Sequence, residues 1–377
     1  MSFTKKQVVS TLIIALIIVI AALILVAVTW NPAGQAVSRP VDGKKTITDM
    51  AGRSIEVPGK INNVLTTQPP TTVLVYVLSP DTLLGVNFEP NTQDGTVYMP
   101  DRYRTLPNVG GWFGKTTGNY ETFIAMKPDI IINGDTGVGN YSQVLSERQE
   151  KFGAIPVVGV LDARDATHYD SAITFCGSLL GADTQAASLS EFYHRVMSDV
   201  TSRVGTIPEE KRVRVYYAEG AKGLQTDPKG SPHSELIELC GGINVADCQI
   251  TPVMGMTPVS MEQVLSWNPD VIIVGDHGFY QTIYSDPLWQ SVPAVKAGRV
   301  YPVPLSPYPW FDRPPGVNRI IGIPWTAGVL YPELFGDMDL KGLTQEFYSK
   351  FYHYDLTDDE VTRLLNPGSG IAVGNNP

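Results

Sequence analysis

Two stretches of the chain, MKPDIIINGD at residues 126–135 and WNPDVIIVGD at residues 267–276, are nearly the same sequence, 141 positions apart. The match extends backwards at the same offset, because Asn119-Tyr-Glu121 precedes the first copy and Ser260-Met-Glu262 precedes the second. A fixed offset held over this length indicates a duplicated structural unit rather than two strands of similar composition.

Each copy has the pattern of a short helix followed by a buried strand. An N-cap residue, Asn119 or Ser260, precedes the helix, which ends at a Pro-Asp pair. An Ile-rich run typical of a strand covered on both faces comes next. At its carboxyl end lies Asp135 in the first copy and Asp276 in the second, where open α/β sheets present loops to a ligand. The alternative is that both aspartates only end their strands by accepting backbone hydrogen bonds.

Beyond the copies, short β-rich runs alternate with helical patterns, which predicts an α/β fold. We expect two similar α/β lobes, residues 46–182 and residues 208–377, the second including C-terminal helices. Residues 183–207 are predicted to form a single long, rigid helix between them, because apolar residues recur there at helical spacing. That stripe consists of Leu189, Phe192, Val196 and Val200.

The N-terminal segment, residues 1–30, is predicted to be a membrane anchor or a signal segment. Residues 8–30 carry no charge and, as a helix, would rise roughly 34 Å, enough to cross a bilayer. Small residues at 33–36 offer a cleavage site as the alternative to an uncleaved transmembrane helix. Lys5 and Lys6 precede the span and should stay cytoplasmic, so the domain after the linker at 31–45 is expected outside the cell membrane.

Composition and charge exclude several classes of protein. With 43% hydrophobic and 18% charged residues, the chain is globular rather than disordered. The net charge of −10 makes nucleic acid an improbable partner. The five histidines lack the spacing of a transition-metal site, so no direct metal site is expected. Cys240 and Cys248 are either bridged by a disulfide, which an oxidising exterior permits, or two buried thiols.

Several motifs together resemble the periplasmic binding proteins of ABC importers for iron–siderophore, haem and cobalamin complexes. They are the two repeats, the interlobe helix, ITDMAGRSIEVPGKINNVL at 47–65 and LCGGINVAD at 239–247. The resemblance covers about residues 46–350. It implies a ligand held between two lobes that move only modestly.

The resemblance also assigns a role to one glutamate in each copy. In such proteins a glutamate on each lobe docks into arginine pockets of the permease, and the matching residues are Glu121 and Glu262. The expected partner is then an ABC permease dimer with its ATPase subunits. From spacing alone, the alternative is favourable placement near a helix N-terminus, worth about 0.3–1 kcal/mol.

The loops expected to face the cleft carry aromatic, cationic and polar residues. By resemblance, the predicted wall residues are Trp112, Phe113, Tyr217, Trp310 and Phe311. Asp135 and Asp276 at the strand ends, and Tyr280 in the loop at 275–284, are further candidates for the ligand site. Lys115 and Arg313 are the predicted cations for an anionic chelate, and His277 could cap an exposed coordination position of a bound metal. Each aromatic residue has the alternative of packing in the core.

We therefore expect an extracytoplasmic, membrane-tethered solute-binding protein of an ABC transporter that captures an iron chelate of the siderophore type. The alternatives are a cobalamin or corrinoid, haem or nickel-chelate binding protein of the same class, and an anchored sensor. An enzyme is not expected, because the loop GDTGVGN at 134–140 lacks the third glycine of a dinucleotide fingerprint, and no cofactor is expected.

Overall fold

The computed structural model describes residues 43–137, 139–251 and 255–366. The protein is a mixed α/β molecule whose two main sheets are parallel. Among the described residues, no helix is both long and apolar enough to span a bilayer. The predicted anchor at 8–30 lies outside the described residues.

The regular elements alternate along the chain as the sequence pattern predicts. The strands are β1 (Lys44–Thr48), β2 (Ser54–Pro58), β3 (Val64–Thr66), β4 (Ile130–Gly134), β5 (Val157–Val160), β6 (Arg214–Ala218), β7 (Gln225–Thr226), β8 (Ile243–Asn244), β9 (Thr257–Pro258), β10 (Val271–Val274) and β11 (Val300–Pro302). The helices are α1 (Pro69–Leu78), α2 (Asp101–Arg104), α3 (Tyr120–Ala125), α4 (Tyr141–Phe152), α5 (Tyr169–Leu180), α6 (Asp183–Val204), α7 (Glu235–Leu239), α8 (Met261–Trp267), α9 (His277–Ile283), α10 (Pro293–Lys296), α11 (Arg319–Leu330), α12 (Leu340–Tyr352) and α13 (Asp358–Leu365).

The two copies of the repeated sequence form interior strands of two separate sheets, which confirms the prediction that each copy contains a buried strand. The first sheet has the order β3-β4-β5, and β4 is the strand of the first copy. The second has the order β11-β10-β6-β8, and β10 is the strand of the second copy. Every residue of β4 and β10 is buried. Apolar runs without alternation suit strands that are covered on both faces.

The copies also share their local geometry. Lys127 and Asn268, just after α3 and α8, both have a left-handed backbone, with φ of 52° and 47°. Two residues later, Asp129 Oδ2 accepts from the Asn63 amide at 2.9 Å, and Asp270 Oδ2 accepts from the Arg214 amide at 3.0 Å. The same turn therefore joins helix to strand in both halves of the chain.

Helix α6 lies between α5, which follows the first sheet, and β6 of the second sheet. It ends at Val204, three residues before the predicted bound. The C-terminal helix α12 packs against α1, and the Tyr76 hydroxyl donates to the Tyr352 carbonyl at 2.7 Å. The Gln185 side chain of α6 donates to the carbonyls of Val77 and Lys350. Residues predicted within the second lobe thus complete the core of the first, and the lobe boundaries stay a prediction.

One local prediction differs from the structure, and the structure decides between the two alternatives given for one cysteine pair. The apolar, β-rich sequence of residues 83–88 predicts a strand, but these residues form only isolated bridges, and a Cβ at Gly85 would lie 2.8 Å from the Pro107 carbonyl oxygen. Cys240 and Cys248 are free thiols rather than a disulfide. Cys240 is buried and its Sγ donates to the Ile323 carbonyl of α11, and burial raises the pKa of this thiol.

Candidate functional site

A cleft lined by residues from both halves of the chain lies at the carboxyl ends of the strands. One part, which we call the aromatic compartment, has a volume of about 540 Å³ and includes Trp112, Phe113 and Arg148 in its lining. The other part, the acidic compartment, has a volume of about 620 Å³. Thr136, Arg164 and His233 line both compartments.

Trp112 is held in the wall of the aromatic compartment by its own loop. Its ring lies 4.6 Å from the Tyr120 ring and 5.3 Å from the Phe123 ring, measured between centroids. A Cβ at Gly118 would come within 2.7 Å of the indole, so glycine is required for the loop to close over it. The loop and the start of α3 therefore fix the orientation of one indole face.

Arg148, on α4, places a guanidinium against that indole. Its Cζ lies 3.9 Å from the Trp112 ring centroid, which is cation–π geometry. Nη1 donates to the Tyr120 hydroxyl at 2.7 Å, and Nε donates to Asn133 Oδ1 at 3.0 Å. Burial lowers the pKa of Arg148, but guanidinium stays charged in proteins. In the part of the chain that the structure describes, Arg148 has no carboxylate partner at ion-pair distance.

Arg164 follows β5 and reaches the boundary between the compartments. It donates to the Thr136 carbonyl. Burial lowers the pKa of Arg164, against the opposing effect of Asp312. Within the described residues it too forms no ion pair, so it is the second guanidinium in the cleft without a direct counter-ion.

Arg313 also lines the aromatic compartment, but its charge is compensated. Its Nε lies 2.6 Å from Glu219 Oε1, and its Nη2 lies 2.7 Å from Asp227 Oδ2. Burial raises the pKa of Glu219, against the lowering effect of Arg313. The backbone of Arg313 is left-handed, with φ of 60°. These two carboxylates, Glu219 and Asp227, therefore compensate the charge of Arg313 within the protein.

His233 is oriented by the same network. Its Nδ1 donates to both oxygens of the fully buried Asp312 at 2.9 Å. Ligand atoms of Asp227, His233 and Asp312 lie within 4.8 Å of one another. Since Asp227 pairs with Arg313 and Asp312 pairs with His233, these groups already satisfy one another, and the predicted absence of a direct metal site stays a prediction.

The acidic compartment differs in charge from the aromatic one. Its lining includes the carboxylates Asp135, Asp162, Asp165, Glu235 and Glu238. Glu235 pairs with the buried Arg319 at 2.8 Å, and burial raises its pKa. By contrast, the described residues that line the aromatic compartment include three arginines and a histidine but no aspartate or glutamate.

The predicted site residues divide between these places. Trp112, Phe113 and Arg313 line the aromatic compartment, and Asp135 lines the acidic one. Asp135 and Asp276 also accept backbone hydrogen bonds, as the alternative reading required. Tyr217 and Asp276 line a smaller cavity of about 160 Å³, next to Arg313. Lys115 is exposed on its loop and does not line these cavities.

Two other predictions need correction, and two more stay predictions. Trp310 and Phe311 are fully buried, and the Trp310 indole donates to the Tyr348 hydroxyl at 3.1 Å. Helix α12 therefore covers the loop that was expected to be a wall. His277 Nε2 donates to the Val303 carbonyl at 2.7 Å, and the Tyr280 ring packs against Tyr284. Neither His277 nor Tyr280 lines the cavities described above.

Sequence reasoning missed Arg148, Arg164 and His233. Arg164 could have been predicted, because it follows a buried strand, and ligands of open α/β sheets bind at the carboxyl ends of the strands. Asp135 was selected on the same ground. Arg148 lies within an ordinary amphipathic helix, and His233 lies in a loop. Nothing in the sequence indicated which cations would lack carboxylate partners.

The two glutamates assigned to docking lie at equivalent positions. Glu121 and Glu262 are exposed residues of the first turns of α3 and α8. Asn119 caps α3 by accepting from the amides of Glu121 and Thr122, and Ser260 forms a capping box with Gln263. Both glutamates therefore lie near a helix N-terminus, as the alternative explanation requires, and both carboxylates are exposed.

The family profile of the periplasmic binding proteins matches residues 76–306, more than half of the chain. The chain belongs to the periplasmic binding protein family. An ABC transporter solute-binding protein from Sulfurospirillum deleyianum has a similar structure, with a TM-score of 0.79 and 31% identity, covering 85% of this chain and 98% of that one. The molybdate-binding protein MolA of Haemophilus influenzae is 27% identical over 85% of this chain and 94% of its own length.

This binding protein has other relatives with a different named ligand. The vitamin B12-binding protein of Pectobacterium atrosepticum is 28% identical over 47% of this chain and 60% of its own length. Membership of the family makes the chain a solute-binding component of an ABC transporter. The named ligands of its relatives differ, so the solute has to be argued from the cleft.

Proposed function

We propose that this binding protein captures an anionic, metal-containing solute in the aromatic compartment and delivers it to an ABC permease. The observation that carries the proposal is the charge of that compartment. Arg148 and Arg164, both half-buried, face it without carboxylate partners among the described residues, and a charge partly removed from water is stabilised by a counter-charge. An anion supplies the missing counter-charge, and guanidinium suits oxygen-bearing anions.

Within this class, an iron chelate of the siderophore type is one candidate. A volume of about 540 Å³ is within the usual range of small-molecule pockets, and Trp112 and Phe113 offer apolar surface to a chelator. Haem and nickel chelates with carboxylate groups belong to the same anionic class. A neutral corrinoid would bring no counter-charge to the two guanidinium groups.

A molybdate-type oxyanion is the second candidate. It is favoured by the similarity to MolA over most of the chain and by two guanidinium groups that can each donate to tetrahedral oxygens. Metal analysis and a visible spectrum of the purified protein separate the candidates. Co-purifying iron with a charge-transfer band supports the chelate, and molybdenum without visible absorption supports the oxyanion.

We further propose that residues 8–30 tether the protein to the extracytoplasmic face of the membrane and that Glu121 and Glu262 dock with the permease dimer. Both carboxylates are exposed at equivalent positions, as two contacts with a two-fold symmetric partner would require. An anchored sensor would make no such contact.

The docking proposal predicts a separation of uptake from binding. The double variant Glu121→Ala with Glu262→Ala should lower solute uptake by cells at least tenfold while solute affinity, measured on the purified protein, stays the same. Glu209→Ala, an exposed glutamate outside the repeats, is the control. Uptake at the wild-type rate in the double variant would contradict the docking role.

A further inference from the structure

Each duplicated helix exposes a large apolar side chain beside its glutamate. Ile124 of α3 is 41% exposed and Leu265 of α8 is 40% exposed. The two residues are 141 positions apart, so they occupy the same place in the two copies. Each lies three residues after its glutamate, and residues at this spacing are neighbours on a helix surface. The same acidic and apolar pair is therefore presented twice.

This exposure is not a consequence of a loosely packed helix. Phe123 and Val264, which immediately precede the two residues, are completely buried. Each helix thus has a well-packed inner face and an outer face that carries the glutamate and the apolar side chain. A single exposed apolar residue needs no explanation, but the same exposure at both equivalent positions of a repeat does.

The glutamates beside them are available as charges. Neither Glu121 nor Glu262 has an ion-pair partner in the part of the chain that the structure describes. Hydrogen bonding to its own backbone amide and to Ser260 lowers the pKa of Glu262, so this carboxylate is ionised at neutral pH. An exposed carboxylate flanked by an apolar side chain favours a partner that offers a basic group next to a nonpolar surface.

We propose that Ile124 and Leu265 are paired apolar contacts through which the protein binds the permease dimer, each excluding water from the ion pair of the neighbouring glutamate. The inference rests on the docking role proposed above and adds the apolar half of the contact. Interfaces commonly gain affinity in this way, because contacts around a charged pair remove it from solvent. Two equivalent contacts fit a homodimeric partner. A second copy of this chain is disfavoured, since the acidic groups would face one another.

The test uses the detergent-purified permease–ATPase complex of the source strain, immobilised, with the full-length binding protein in solution. Ile124→Ser and Leu265→Ser should each weaken binding to that complex about fivefold or more, while solute affinity stays the same. The conservative variants Ile124→Val and Leu265→Ile are the matched controls and should bind like the wild type. The double glutamate variant is measured alongside.

The outcomes separate this inference from the proposal beneath it. If the serine variants bind the complex like the wild type while the double glutamate variant does not, the apolar contact is wrong and the docking role stands. If the double glutamate variant also binds like the wild type, both fail. Loss of solute affinity in the serine variants, or loss of self-association with permease binding retained, would likewise overturn the inference.

Discussion

Asp312 is the residue on which the charge arrangement of the cleft depends. It is completely buried, accepts from His233, and lies 3.6 Å from the Arg313 guanidinium. Burial works to raise the pKa of Asp312, but His233, Arg313 and Arg319 outweigh it and leave the pKa below its usual value. The carboxylate therefore stabilises the folded state in its ionised form.

Asp312→Asn should lower the free energy of unfolding at pH 7 by about 3 kcal/mol, because it removes a buried charge that its partners require. A lowered folded-state pKa means that this stabilisation is present above the unfolded pKa of about 3.9 and is lost as pH falls through the folded value. Urea unfolding at pH 7 and pH 3 should show a difference between variant and wild type that shrinks at the lower pH.

The control for this prediction is Asp358→Asn, which alters an exposed ion pair with Lys341 and should change the free energy of unfolding little. A loss from Asp312→Asn that is the same at both pH values would contradict the assigned role of the carboxylate.

The N-caps of α3 and α8 are the features of these helices that the sequence predicts best. Asn119 and Ser260 were identified from the repeat, and both accept backbone hydrogen bonds in the structure. Asn119→Ala and Ser260→Ala should each lower the free energy of unfolding by about 1 kcal/mol. Chemical denaturation measures this directly, with Ala125→Ser, an exposed position of α3, as the control. No loss in either cap variant would contradict the capping geometry.

Local sequence patterns predicted helices and strands well, but they predicted poorly which residues distant in sequence contact one another. The apolar periodicity of residues 141–152 and 169–180 predicts two helices, and α4 and α5 have these bounds. Residues 83–88 have a strand-like composition, yet only single bridges form there. Trp310, an aromatic residue in a Pro-rich loop, was predicted to line the cleft, but in the structure α12 packs over it. That contact joins positions 38 residues apart, and no local pattern records it.

The duplication places Asp135, after β4, in the acidic compartment and Asp276, after β10, in the smaller cavity beside Arg313. Arg319, completely buried on α11, joins the halves by donating to the Tyr169 hydroxyl, the Pro232 carbonyl and the Arg164 carbonyl. The position of Arg164 is thus linked to elements of both halves. The sequence predicted the two units, whereas the charge of the space between them depends on which side chains find partners there.

The central claim, an anionic solute held by the guanidinium groups of Arg148 and Arg164, is tested most directly by calorimetric titration of the purified protein with molybdate, a ferric siderophore-type chelate and cobalamin. We expect one of the two anions to bind with one-to-one stoichiometry. Arg148→Gln and Arg164→Gln should each weaken that binding at least tenfold, or about 1.4 kcal/mol, whereas Arg102→Gln at an exposed position should leave it unchanged. Binding of cobalamin without binding of either anion, or wild-type affinity in both arginine variants, would contradict the claim.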